Sequence, residues 1–301
     1  MHTLDAGASV LTMSAHHAPV ISVESGDVIR VETLDCFSNS VKTEQDLFSS
    51  IGWDKVNPAT GPIAVKGASP GDTLRIDILD IEIGDEGTMT THPDLGVLPG
   101  TVEERTRKIP IVGGCVEFDE NYSFPIEPMI GVIGTAPDEE EIPTGTPADH
   151  GGNMDTKKIA AGSTLYLPVE VPEALLALGD VHGAMGDGEV AVCGLEIAAW
   201  VTIRVSVVPG RPVPLPFLVR PTEAIAIASR ENLMDAVEEA TRMMRDFLVQ
   251  NTPLDPTEAL MLLSLKGTAS ISQVVDPLTT ARMEVPRTLL SAYGAESAID
   301  M

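Results

Sequence analysis

The sequence predicts a mainly β protein: a jelly-roll-type β-sandwich core over residues 1–208, a Pro-rich linker over 209–221, and an α+β addition packed on the core over 222–301. Three observations lead there. Short β-prone runs broken by Gly, Pro and Asp occupy the chain from residue 19 to about 206. Gly-Asp turns, not crossover helices, join them. Helical periodicity starts only beyond a Pro-rich stretch.

Taken in order, Val20 to Val23 is an apolar run closed by the turn Glu24-Ser25-Gly26-Asp27, and Val28 to Leu34 then alternates apolar and polar as a half-buried strand does. Gly71-Asp72 opens a second alternating run that reaches Ile81. Further strands are expected at Ile109–Val112, Ile130–Ile133, Thr164–Pro168, Glu189–Cys193 and Ile197–Val208. Residues 209–216, with four prolines, read as an extended linker. Beyond it, Ser229 is the expected N-cap of a helix on which Leu233, Ala236, Val237, Ala240, Met244, Phe247 and Leu248 mark one buried face. A second helix takes Asp255 as N-cap, Pro256 at its first position and Glu258 in its first turn, and stops at Gly267. Thr268–Val275 and Ala281–Val285 are expected as strands.

Composition narrows the function. Against 45 Asp and Glu stand 19 Lys and Arg, a formal net charge of −26 in 301 residues. A chain so acidic lacks the basic face that nucleic acid and anionic lipid require, and it repels anionic substrates. A neutral or cationic small molecule, or a metal ion, is the natural partner. No apolar run nears the ~20 residues needed to cross a bilayer, and no Lys or Arg precedes Arg30, so a cytoplasmic protein is expected. Cys36, Cys115 and Cys193 show no metal or disulfide spacing and are expected as small buried side chains.

Two segments concentrate polar groups among small residues. In Asp149-His150-Gly151-Gly152-Asn153-Met154-Asp155, paired glycines let backbone approach a bound species while His, Asn and Asp offer ligands; an Asx-rich turn is the plainer alternative. In the stretch from Gly179 to Glu189, Asp180 and His182 fall on one face of an extended segment, and Gly186-Asp187-Gly188 reads as a hairpin turn that presents Asp187. An imidazole beside carboxylates is a common divalent-metal environment. Asp35, delivered to a loop by the strand before it, is a third candidate, whereas His2, His16, His17 and His92 are left outside the site. The chain has no GxSxG, no HExxH and no phosphate-binding loop.

Together, Asn57-Pro58-Ala59-Thr60-Gly61-Pro62, Gly71-Asp72, His150 to Asp155, Gly179-Asp180-Val181-His182, Gly186-Asp187-Gly188-Glu189 and Ser272-Gln273-Val274-Val275-Asp276-Pro277 resemble the acetamidase/formamidase family, collinear from about residue 2 to 287. The resemblance implies a jelly-roll-type β-sandwich, hydrolysis of a short-chain amide to ammonia and a carboxylate, and a homo-oligomer, dimer or higher. His150, Asn153, Asp155, Asp180, His182, Asp187 and Glu189 match its motif positions, while Met154 and Met185 replace polar residues of some relatives. On this reading a divalent metal, zinc by its ligand types or calcium as a structural ion, is held by His182, His150 and one or two of Asp35, Asp155 and Asp180. Glu189, with Asp187 and Asn153, carries the catalytic work. Two rivals are a Cys193 thiolate amidase and a non-catalytic ligand-binding sandwich, for which His150 and His182 need not converge. Three Tyr, two Trp and six Phe leave few aromatic walls, so small neutral amides are expected, though Met154 and Met185 offer an apolar cleft for a longer acyl chain.

Overall fold

The computed structural model describes residues 1–299 and is built on two facing sheets. The larger has nine strands in the order His2–Leu4, Val28–Thr33, Ala199–Val208, Thr73–Ile83, Thr164–Pro168, Phe217–Val219, Glu223–Arg230, Thr279–Pro286, Thr268–Gln273. The second places Gly151–Asn153, Met129–Gly134, Leu176–His182, Ala59–Val65 and Ser9–Val10 side by side. Alternation explains the pairing. In Val28–Thr33 the buried residues are Ile29, Val31 and Thr33, and in Ala199–Val208 they are Ala199, Val201, Ile203 and Val205. These meet Ile63, Ile130, Ile133, Leu176, Leu178 and Val181 of the facing sheet in one core, which makes the β-sandwich. A smaller four-stranded sheet runs from Glu86–Thr91 through Arg105–Val112 and Cys115–Glu117 to Ser123–Pro125.

The Pro-rich segment does not separate two bodies. It ends in the strand Phe217–Val219, which pairs with Thr164–Pro168, so the last third of the chain extends the large sheet. Along Glu223–Arg230, Ile225 and Ile227 enter the sandwich core, whereas Ala224, Ala226 and Ala228 face a second core with the helices Leu233–Asn251 and Pro256–Lys266. Alanines there allow close helix approach.

Several expectations are corrected. Ser229 is a strand residue whose Oγ lies 2.9 Å from Thr280 Oγ1, and Asn232 caps the first helix by accepting from the Met234 N–H. Asp255 does cap the second, in a capping box with Glu258. Glu189–Cys193 is a turn, in which Glu189 and Val192 both leave the extended region for positive φ, 50° and 85°. Gly186-Asp187-Gly188 turns without a hairpin, since Gly188 bridges in parallel to Gln273. No helix among the described residues is long and apolar enough to cross a membrane.

Candidate active site

Five acids and one histidine converge beneath a cavity walled by the loops that carry Phe37 to Asn57, Pro143 to Thr146 and Val275 to Pro277. Asp180 and His182 stand at the end of Leu176–His182, two residues apart on one face as their spacing requires. Asp155 follows Gly151–Asn153, and Glu189 sits on the turn after His182. Glu196 bridges to both His182 and Thr88. Asp276 comes from a loop held by buried Gln273, whose Oε1 accepts from the Val275 and Asp276 N–H groups and whose Nε2 donates to Leu278 O and Thr280 Oγ1. His182 Nε2 lies 3.1 Å from Glu196 Oε1, 3.5 Å from Asp180 Oδ1 and 3.8 Å from Asp155 Oδ1. One donor atom each of Asp155, His182 and Glu189 lies within 4.8 Å of the others; the same holds for Cys36, Asp180 and Glu196.

The local backbone is bent to achieve this. Asp155, Asp180 and Glu189 have φ of 40°, 53° and 50°, a left-handed conformation that costs roughly 1–3 kcal/mol at each non-glycine residue. Gly131 leaves the space the carboxylates occupy: a Cβ there would lie 2.5 Å from Asp155 Oδ1 and 2.6 Å from Asp180 Oδ2.

The electrostatics are unbalanced. Burial, then the neighbouring Asp180, pushes Asp155 up from 3.8 to about 7. Burial likewise raises Glu196 from 4.5 to about 8, and lifts Glu189 and Asp276 well above the carboxylate range. Burial opposes a charge on His182, but Glu196 and Asp180 override it and hold its pKa well above the ordinary value. A single imidazolium cannot balance five carboxylates. Asp155 Oδ1 and Oδ2, Asp180 Oδ1, Glu189 Oε2, Glu196 Oε2 and both His182 nitrogens are buried without a hydrogen-bond partner among the described residues. Buried polar atoms are normally paired, and a donor set of one imidazole with several carboxylates fits a divalent cation.

Not every expected residue joins. His150 is buried against another cavity, of about 530 Å³, beside Asp138, Glu139 and Glu170. The strand Met129–Gly134 pairs with His182 at one end and Gly151 at the other, so at ~3.3 Å per residue the two histidines stand roughly 15 Å or more apart. Burial holds His150 neutral, its pKa lowered to about 4. The convergence expected of the two imidazoles is therefore not found; carboxylates take the second histidine's place. Asp35 Oδ1 is engaged in its own loop, accepting from the Phe37 and Asn39 N–H groups at 3.0 and 2.6 Å. Asp187 pairs with Arg282 at 2.7 Å and Lys157 at 3.2 Å and faces a different cavity. Met154 is in the main core and Met185 lines that other cavity. Cys193 Sγ donates to Thr90 O, and burial pushes its thiol up to about 12, so it is no thiolate. Asn153 does reach the site: its Nδ2 donates to Asp276 Oδ2 at 3.0 Å and its Oδ1 is unpartnered.

Glu196 and Asp276 were not among the expected site residues. An acid flanked by Leu195 and Ile197 is a signal for the first; the second lies in a motif noted only for its resemblance.

Comparison with known proteins identifies the family and the fold. The model of the acetamidase/formamidase family matches residues 15–146 and 140–289. A formamidase of Methylophilus methylotrophus is 28% identical over 253 residues, 63% of this chain and 62% of that protein. The chain thus spans about three fifths of the length of that curated relative. The crystal structure of an acetamidase from Bacillus halodurans superposes with a TM-score of 0.96 at 47% identity, covering 97% of this chain and 99% of the other. That of a recombinant predicted acetamidase/formamidase from Thermoanaerobacter tengcongensis gives 0.95 at 45% identity, covering 98% of each.

Proposed function

The chain belongs to the acetamidase/formamidase family, and from that premise we propose that it hydrolyses a neutral linear amide to ammonia and a carboxylate at the His182 cluster, with a divalent cation bound there. The observation that carries the proposal is the set of buried, unpartnered carboxylate oxygens around His182 Nε2. The formamidase and acetamidase activities named for its relatives support formamide and acetamide as the starting substrate class.

His182, Asp155 and Asp180 would hold the cation, zinc by donor type. When bound, it supplies Lewis acidity toward the amide carbonyl and acidifies water. Burial and the neighbouring carboxylates raise Glu189; with a cation bound to offset those carboxylates, its Oε2, on the cavity wall, is left ionised to take a proton from the attacking water. It returns that proton to the leaving nitrogen as the C–N bond breaks, so amide and water give ammonia and a carboxylic acid, whose remaining proton is lost to leave the carboxylate. Asn153 Oδ1 accepts from the substrate NH₂ group, and Asp276 fixes the orientation of Asn153 through Nδ2. Glu196, 3.1 Å from His182, positions the imidazole.

Assembly belongs to the same reading. His2–Leu4 and Thr268–Gln273 are the outer strands of the nine-stranded sheet, and a second copy would cover such an edge. Light scattering that returned 31.8 kDa would remove that part. The central test is ammonia release from formamide and acetamide by native, chelator-stripped and zinc-reloaded protein, with elemental analysis of each. Activity lost on stripping and regained on reloading is expected. Undiminished ammonia release from metal-free protein would remove the cation, and none from any form would remove the amidase.

A further inference from the structure

The cavity above the acid cluster measures about 800 Å³, within the ~300–1,000 Å³ of pockets that enclose drug-sized ligands. Formamide and acetamide would leave most of it to water. Its walls are apolar and aromatic. Phe37 and Phe48 meet edge to face at 6.1 Å and 72°, and Phe48 and Trp53 at 5.0 Å and 79°. The three form a ramp from interior to mouth, Phe37 being 1% exposed, Phe48 8% and Trp53 67%. The ramp starts at the chemistry, since Phe37 follows Cys36, whose sulfur lies within 4.8 Å of the Asp180 and Glu196 ligand atoms. Among the described residues no Lys or Arg lines this cavity, whereas Asp180, Glu189, Glu196 and Asp276 do. A carboxylated acyl group would meet repulsion with nothing to offset it.

We infer that the acyl group of the preferred substrate is neutral and apolar, a ring or a chain of several carbons, and that Phe37, Phe48 and Trp53 are the residues that select it. This rests on the amidase reading above and names its substrate class. Aromatic side chains are scarce in this chain, yet three converge here, where each ring offers a face or edge to an incoming apolar group. Each methylene buried against such a wall favours binding by about fourfold, from ~0.8 kcal/mol.

The test measures kcat/KM by ammonia release, on the zinc-loaded full chain, for formamide, acetamide, butyramide, hexanamide, benzamide and phenylacetamide, with succinamate as the anionic control. Hexanamide or phenylacetamide should exceed acetamide by at least 10-fold, with succinamate lowest. In Trp53→Ala the phenylacetamide-to-acetamide ratio should fall about 10-fold; Trp53 is exposed, so this variant leaves the cores intact. A maximum at formamide or acetamide, or a Trp53→Ala variant with the ratio unchanged, would overturn the inference. If no amide releases ammonia, the parent reading fails on its own, and the wall is tested separately by Trp53 fluorescence in a Trp200→Phe background. Saturable quenching by phenylacetamide but not by acetamide supports the wall, and no quenching overturns it.

Discussion

Asp187 and Glu189 are separated by one glycine, yet they belong to opposite electrostatic regimes. Asp187 joins a network centred on Arg282, a side chain only 1% exposed, which donates through Nε to Glu284 at 2.5 Å and through Nη2 to Asp187 at 2.7 Å. Lys158 completes it, bound to Glu284 at 2.6 Å and Glu223 at 2.8 Å. Although burial works against their charges, Arg282, Lys157 and Lys158 hold Asp187 and Glu284 below the usual carboxylate range. Around His182 a fuller enclosure raises Asp155, Glu189, Glu196 and Asp276, and among the described residues no Lys or Arg pairs with them. The fold evidently can deliver a guanidinium to a buried acid. Where it does not, the balancing charge arrives from outside, as protons or as the proposed cation.

The sharpest way to separate the two regions is to remove one group from the His182 cluster. Glu189→Gln should lower the amide rate by about 10²–10⁴-fold with bound metal retained. His182→Ala should lose rate and metal together without unfolding. Metal loss in the first variant, or full metal and rate in the second, would exchange or cancel the roles assigned to them.

Breaking the Arg282 network has its main effect on stability. Arg282→Met leaves Asp187 to Lys157 and Glu284 to Lys158 alone and should cost about 3 kcal/mol, the low end for a broken buried pair because those lysines remain and Asp187 is partly solvated. Urea unfolding measures the cost, and a midpoint equal to wild type would show the network to be ornamental. Per folded molecule, metal content should not change.

A third consequence concerns pH. Asp155 and Glu196 bind protons more tightly folded than unfolded, so their contribution is complete below about pH 4 and fades as pH rises through about 7 and 8. Asp187 and Glu284 behave in the opposite sense, contributing above their ordinary range and losing that contribution in acid. Chelator-stripped protein should therefore lose urea resistance between pH 5 and 8, and zinc should abolish that loss. An apo protein equally resistant at pH 5 and 8 would falsify the imbalance.

The smallest effect is expected at Asp187. Asp187→Asn removes a partly exposed carboxylate, for about 1 kcal/mol or less, and should leave the amide rate unchanged. A large rate loss would return Asp187 to the catalytic set.

Local signals in the sequence and long-range ones fared differently. The period-two placement of Asp180 and His182, the Asp255 capping box and the strand Thr164–Pro168 depend on neighbours in the chain, and each is present. Glu189–Cys193 is an apolar, β-prone run but reverses direction, since its path answers to contacts with the Ser272–Val274 segment, where the Gly188 N–H reaches Ser272 O. His150 and Asn153 share a motif, but a strand with side chains on alternate faces and a length to span carries only Asn153 to the acids. Asn153 meets Asp276 across 123 residues, a pairing that no local pattern encodes. The aromatic wall was concealed in the same way: composition counts rings, and only the fold gathers them.

The Gln273 clamp that presents Asp276 also sets a schedule. During synthesis the chain emerges from its N-terminus, so Asp155, Asp180, Glu189 and Glu196 are all made well before the residue that orients Asn153. The partner strand Thr279–Pro286, against which Thr268–Gln273 is zipped, comes later still. A chain cut before residue 276 holds four of the five acids but lacks Asp276, so the cluster is completed only by a segment made after the rest of it.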